Sequence, residues 1–183
     1  MSPANEAERF ASVVEPYLGD ALTLARWLTG NATDAEDVVQ EACLRAFRAI
    51  GGFNGGSARA WVLTIVRNTA FTWLAKNRKF RLVAFDELSI DDRELLESGA
   101  GSETGAVATP EEQMIVRADA DCLGAEIARL PEEFREVLVL RDLQGLDYRE
   151  IATVTGAPLG TVMSRLARAR QRLIRALATP PGK

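Results

Sequence analysis

The sequence predicts an all-α protein made of two small helical domains joined by a flexible acidic linker. Three observations carry that prediction. Apolar residues recur at spacings of three and four, with little strict alternation. Helix-start signatures recur along the chain, each followed by an apolar stripe. Charge is segregated: the chain holds 22 bases and 26 acids, net −4. No acid falls between Glu41 and Asp86 or after Glu150, whereas residues 84–109 hold seven acids against one base.

The elements follow in order. A first helix is expected over about residues 6–18, with Phe10, Val13, Val14 and Tyr17 inward and Pro16 bending or shortening it. A second runs from Asp20 to Thr29 and stops at Gly30. A third starts at Thr33, which pairs with Glu36 as a capping box. Its inner stripe is read as Val39, Cys43, Ala46, Phe47 and Ile50, and Gly51-Gly52 end it. After the loop GGFNGG, Ser57 caps a long fourth helix reaching about Lys79. Residues 83–109 form the linker, polar and glycine-rich in its second half. Thr109, Pro110 and Glu112 then open a helix to about Arg129, and Pro131 opens another that ends near Leu143 to Gly145. Asp147 and Glu150 form a further capping box for a short helix over 148–155. A turn at Gly156 leads to a final helix over about 158–177. The expected domains are therefore 1–82 and 110–183 with the linker between them.

Composition narrows the function classes. The chain has no histidine, the commonest general base and metal ligand, and no glycine-rich phosphate loop follows a strand pattern. An enzyme is not expected, nor is a metal or other cofactor. Cys43 and Cys122 are read as reduced, buried small residues. The apolar runs are too short to span a bilayer. The start MSPANEAERF has neither a basic cluster nor an apolar stretch, so a cytoplasmic location is expected.

Two acid-free basic stretches on an acidic protein point to a polyanionic partner. Residues 147–170, DYREIATVTGAPLGTVMSRLARAR, read as a helix-turn-helix. Ile151, Val154, Val162 and Leu166 are spaced to lock the two helices, and Ala152 is small where they approach. Gly160 and Thr161 open the second helix, where free N–H groups suit a phosphate. Ser164 adds a hydroxyl, Arg165 and Arg168 share a face, and Arg170 and Arg172 suit the phosphate backbone. Residues 53–79 interleave Phe53, Trp61, Phe71 and Trp73 with Arg59, Arg67, Asn68, Lys76, Arg78 and Lys79. Aromatics and cations so mixed are how single strands are held, though Trp61 and Trp73 serve a core equally well. Residues 34–41, DAEDVVQE, place Asp34, Asp37 and Glu41, with Gln40 beside them, as an acidic ridge.

DAEDVVQE, the 53–79 segment and LPEEFREVLVLRDLQGLDYREIATVTGAPLGTVMSRLARARQRL stand in the order found in bacterial RNA polymerase sigma factors. With no further domain, the chain resembles the extracytoplasmic-function (ECF) group of the sigma-70 family. The resemblance implies a dissociable transcription-initiation subunit and gives roles to matching positions. Asp34, Asp37, Gln40 and Glu41 would dock on the clamp coiled coil of core RNA polymerase, and the segment around Phe134 to Arg141 would meet its flap. Phe53, Asn54, Ser57, Arg67, Asn68, Thr72, Lys76, Arg78 and Lys79 would capture unwound bases of the −10 promoter element. Gly160, Thr161, Met163, Ser164, Arg165, Arg168, Arg170 and Arg172 would read the −35 element as duplex. An anti-sigma factor is the further partner implied, alongside core polymerase and promoter DNA, with no membrane insertion. Thr72 stands where relatives often carry Asp, and Met163 where they often carry Lys or Arg, so base preference at both elements is open. Two other readings are a dimeric helix-turn-helix regulator binding operator DNA and a helical adaptor for another protein. The first has no use for a second basic, aromatic surface.

Overall fold

The computed structural model describes residues 3–81 and 120–178, with side chains over 5–77 and 120–178, and every regular element among them is helical. In the N-terminal half, α1 (Pro3–Val14) passes through a tight turn at Glu15–Tyr17 into α2 (Leu18–Thr29). Pro16 lies inside that turn and ends α1 earlier than expected, because proline has no N–H to continue the ladder. Gly30, at φ 70°, closes α2. Asn31, not Thr33, caps α3 (Ala32–Ala49): its side chain accepts a 3.0 Å bond from the Asp34 amide. Ser57 caps α4 (Ala58–Arg81) as predicted, accepting from the Ala60 amide at 3.2 Å.

The buried face of α2 is Ala21, Leu24, Ala25 and Leu28, and that of α4 includes Leu63, Val66, Ala70 and Leu74. The buried stripe of α3 is Ala35, Val38, Ala42 and Ala46, three of them alanine, which lets three helices pack closely. This corrects the predicted stripe at Phe47, which is 43% exposed and leans edge-on against Phe10, with ring centroids 5.5 Å apart. Val39 and Cys43 are only half-buried.

The C-terminal half holds α5 (120–128), α6 (Glu132–Leu138) running into a wide π turn at Val139–Leu143, α7 (Tyr148–Thr155) and α8 (Leu159–Ala178). The predicted Asp147–Glu150 capping box is present in both directions. Gly156 sits at φ 67° between α7 and α8, a conformation open to glycine at little cost. Ile151 and Val154 of α7 meet Val162, Leu166 and Ala169 of α8, all at most 2% exposed. The predicted helix start at Thr109, the 83–109 linker and the side chains of Arg78 and Lys79 lie outside the described residues.

The two halves pack on each other and share one continuous apolar core. Polar bonds stitch the seam. Buried Arg135 of α6 donates to the Trp27 carbonyl in the last turn of α2 at 2.9 Å, where the helix dipole favours a cation. Gln144 donates to the Asp20 carbonyl at 2.6 Å, Arg59 to the Gln144 carbonyl at 2.7 Å, and Ser57 to Glu150 at 2.9 Å. The same packing buries Phe134 through Leu140, so the segment expected to meet a polymerase flap turns inward in this arrangement.

Candidate nucleic-acid interface

Three surfaces gather the predicted residues. The first is on α3. Asp37 and Gln40 are exposed, Glu41 and Asp34 half-exposed, and Leu44, 55% exposed, continues the face one turn on. Leu44, on which the sequence reading was silent, and Phe47, which it read as core, both turn outward on this helix and add apolar surface to the face. Glu41 bonds Arg45 at 2.8 Å, and that guanidinium holds its carboxyl below the usual range.

The second surface lies along α4. Asn68, Phe71, Thr72, Ala75 and Lys76 line an open concavity of about 680 Å³. Thr72 donates to the backbone carbonyl of Asn68 at 2.8 Å, and the exposed Asn68 side chain accepts from Arg67 at 3.4 Å through its amide oxygen. Arg67 lies over the Phe71 ring at 4.5 Å, so Phe71 presents a polarised aromatic wall beside a cation. Phe71 therefore joins the site, although the sequence reading named it only among interleaved aromatics. Trp61 and Trp73 pack against the core, and Phe53 lies tilted against Trp61, ring centroids 5.1 Å apart, with its carbonyl held by Arg9. Asn54 and Ser57 are exposed in the preceding loop, some distance along the chain from the concavity.

The third surface is α8. Gly160, Met163, Ser164, Ala167, Arg168 and Gln171 form one exposed stripe at helical spacing, with Thr161 half-exposed at its edge. Met163 is 51% exposed. Arg165 and Arg168 were expected to act side by side, and the structure separates them. Arg168 is exposed, whereas Arg165 turns back to Glu133 at 3.4 Å and Glu136 at 3.7 Å. Arg170 is bound by both oxygens of Asp142 at 2.5 and 3.0 Å, and that bond raises its pKa further. Arg172 lies 4.9 Å over the Phe134 ring. Ala167 and Gln171 are the residues missed here, since neither type signals contact by itself. Arg168→Ala is accordingly expected to cost about 1–3 kcal/mol of discrimination against altered duplex sites. Gel shifts on cognate and scrambled duplexes check this; an equal loss on both means that Arg168 touches phosphate only.

Glu136 joins the second and third surfaces. It is 1% exposed, bonds Arg67 at 2.7 and 3.3 Å, and has Arg165 and Glu133 near it. Burial raises its pKa more than the Arg67 bond lowers it. A raised folded-state pKa means a contribution to stability that is present below the unfolded value and lost as pH rises through the folded one. Lowering the pH from neutral through the raised Glu136 value should therefore stabilise the protein relative to Glu136→Gln. At lower pH Glu41, with its lowered pKa, acts in the opposite sense. Thermal melts across the window test this, and parallel curves for the two proteins would rule it out.

Cys43 is half-buried, with its thiol pushed up by burial, while Cys122 is exposed, against the expectation that both are buried. No group of three metal-ligating side chains occurs among the described residues, and none of their helices is long and apolar enough to cross a membrane.

The family descriptions Sigma-70 region 2 and Sigma-70 region 4 match residues 13–80 and 120–173. The chain is 35% identical over 169 residues to the RNA polymerase sigma-H factor of Pseudomonas aeruginosa, covering 92% of this chain and 86% of that protein. It is 37% identical over 141 residues to the ECF RNA polymerase sigma-E factor of Escherichia coli, covering 76% of this chain and 72% of that protein. Among solved structures it resembles the sigma factor RpoE in complex with the anti-sigma factor NepR from Bartonella quintana. The TM-score there is 0.66 at 25% identity, with 93% of this chain and 98% of that one covered. The fold also matches CnrH in complex with the cytosolic domain of CnrY, with a TM-score of 0.59 at 23% identity, over 94% of each chain.

Proposed function

This chain belongs to the ECF group of the sigma-70 family of RNA polymerase sigma factors, and from that premise we propose how its own residues divide the work. It is a transcription-initiation subunit that directs polymerase to promoters, and sigma factors as a class are non-enzymatic. The operator-binding regulator is thereby set aside.

Residues 1–82 act as the unit that binds core polymerase and melts the −10 element, residues 110–183 as the unit that reads the −35 element, and 83–109 as the tether between them. Asp34, Asp37, Gln40, Glu41 and Leu44 form the ridge that docks on the polymerase clamp. The concavity of Asn68, Phe71, Thr72 and Lys76 accepts an unstacked base of the −10 element, with Arg67 over the Phe71 ring, and the Asn54–Ser57 loop meets the strand further along. Holding an extruded base there offsets the unstacking cost of about a few kcal/mol and so favours the melted state. The α8 stripe enters the major groove with Met163, Ser164 and Arg168 toward base edges. Arg170 and Arg172 serve phosphates once released from Asp142 and Phe134. Transcription takes place in the cytoplasm, and an anti-sigma factor holds the subunit silent; relatives solved in such complexes support this.

The observation that carries the reading is the open pocket on an acid-free helix face, with an amide, an aromatic wall and a lysine, in the same chain as an exposed recognition stripe. The test is retention of core polymerase by the immobilised subunit, followed by run-off transcription from a two-element promoter. Retention with run-off confined to intact elements is expected. Retention without dependence on either element would overturn the division of labour.

A further inference from the structure

Met163 is an apolar side chain in a polar setting. It is 51% exposed in the second turn of α8, and its thioether offers no donor and only a weak acceptor. Its polar neighbours are engaged elsewhere. Ser164 donates its hydroxyl proton to the Thr161 carbonyl at 3.0 Å, and Arg165 turns back to Glu133 and Glu136. Gly160, one turn earlier, is exposed, and a Cβ there would meet nothing within 4 Å. Its φ lies outside the left-handed region. Neither packing nor backbone conformation within the molecule therefore calls for glycine at 160, where alanine would favour the helix more. A surface outside the molecule that comes close to the backbone does call for it. At about 100° per residue, Gly160 and the exposed Ala167 fall nearly on one line along α8, with Met163 and Ser164 about 50° to either side. The backbone can thus approach base edges along that line while Met163 and Ser164 reach past it. Arg168 is exposed on the same face and no acid follows Glu150, so duplex DNA suits this face better than a protein does.

We propose that Met163 is a specificity-determining residue, which selects thymine at one position of the −35 element by packing on its C5 methyl, and that Gly160 leaves the backbone room to come close. The inference rests on the reading of α8 as the helix that enters the −35 major groove. In that groove thymine alone shows a methyl group. The other bases show donors and acceptors, which an apolar side chain would strip of water and leave unpaired. An unbranched, polarisable side chain adapts its shape to such a methyl at little cost.

Holoenzyme reconstituted from the full-length chain and core polymerase tests this on promoters with a randomised −35 element. The selected element should hold a thymine whose replacement by deoxyuridine, which removes the methyl alone, weakens binding about fourfold, the factor that burial of one methyl-sized group gives. Met163→Ala should bind the thymine and deoxyuridine promoters equally. Met163→Lys should exchange that thymine for guanine, whose O6 and N7 accept from a cation. Free Gly160→Ala should melt at the same temperature or higher, since its Cβ has open space, and its holoenzyme should bind the selected promoter about tenfold more weakly, within the range for loss of one well-placed base contact. A selected element without thymine overturns the proposal, as does indifference to the methyl at every thymine. An equal deoxyuridine penalty in Met163→Ala gives the methyl to another residue and overturns it. Unaltered selection by Met163→Lys leaves that side chain off the base edges and overturns it too. Undiminished binding by Gly160→Ala overturns the close approach. Ser164→Ala with Arg168→Ala separates the two kinds of failure. Altered −35 selection in that variant keeps α8 as the reader with Met163 wrongly assigned, whereas unaltered selection both there and in Met163→Lys means that the reading of α8 itself fails.

Discussion

Asp37→Lys with Glu41→Lys is expected to lower affinity for core polymerase by a factor on the order of 100 or more, with the helical content unchanged. The two effects differ widely in size. Removing one partner of a desolvated charge contact between proteins costs about 2–5 kcal/mol, and reversal adds repulsion. The intramolecular loss is small. Glu41 and Arg45 form an exposed i,i+4 pair, 45% and 41% exposed, which solvent screens, so it contributes little to the fold. A lysine at 41 facing Arg45 makes the pair mildly repulsive, again screened by solvent. Asp37 and Glu41 are themselves like charges at i,i+4, which offsets what the Glu41–Arg45 pair contributes to α3. A partner's cations give the pair its favourable setting. Leu44 beside them supplies an exposed apolar contact that the charge change leaves in place. Surface-plasmon measurements with core polymerase read the affinity, and circular dichroism reads the fold. Unchanged affinity in a folded variant would move the docking surface off α3.

Phe71→Leu is expected to reduce open-complex formation about 10- to 100-fold while leaving polymerase binding intact, because a stacked base is worth about 1–3 kcal/mol. Leucine keeps most of the apolar contact that Phe71 makes with the core, so the fold stays. It removes the π face that lines the concavity and the ring on which Arg67 rests at 4.5 Å. Permanganate reactivity of thymines in the −10 region measures melting directly. The variant should bind promoter at low temperature and fail to open it. Normal reactivity would show that the ring merely packs.

Local order was legible wherever a residue's signal depends on its immediate neighbours. The Asp147–Glu150 capping box, the glycine turns at Gly30 and Gly156 and the Ser57 cap all follow from backbone donors and φ angles within a few residues. The third helix shows the limit. Asn31 and Thr33 are both good caps, and the choice fell to Asn31, whose carbonyl oxygen meets the Asp34 amide. Phe47 was read inward because it is large and apolar, yet the face that α3 turns to α2 and α4 is Ala35, Val38, Ala42 and Ala46. A helix can approach its neighbours closely only with small residues on the inner face, which turns the bulky one outward.

The helical class, the charge segregation and the identity of the two basic faces were thus written in the order of the residues, since periodicity and net charge need no partner to be defined. Which cations face solvent was decided in three dimensions. Arg168 stays free to meet DNA while Arg165, three residues away, is drawn to Glu133 and Glu136. Arg67 crosses to an acid 69 positions along the chain. Folding brought those charges within a few ångströms at a buried carboxylate, where attraction is stronger than in solvent but the cost of burying the acid is larger still.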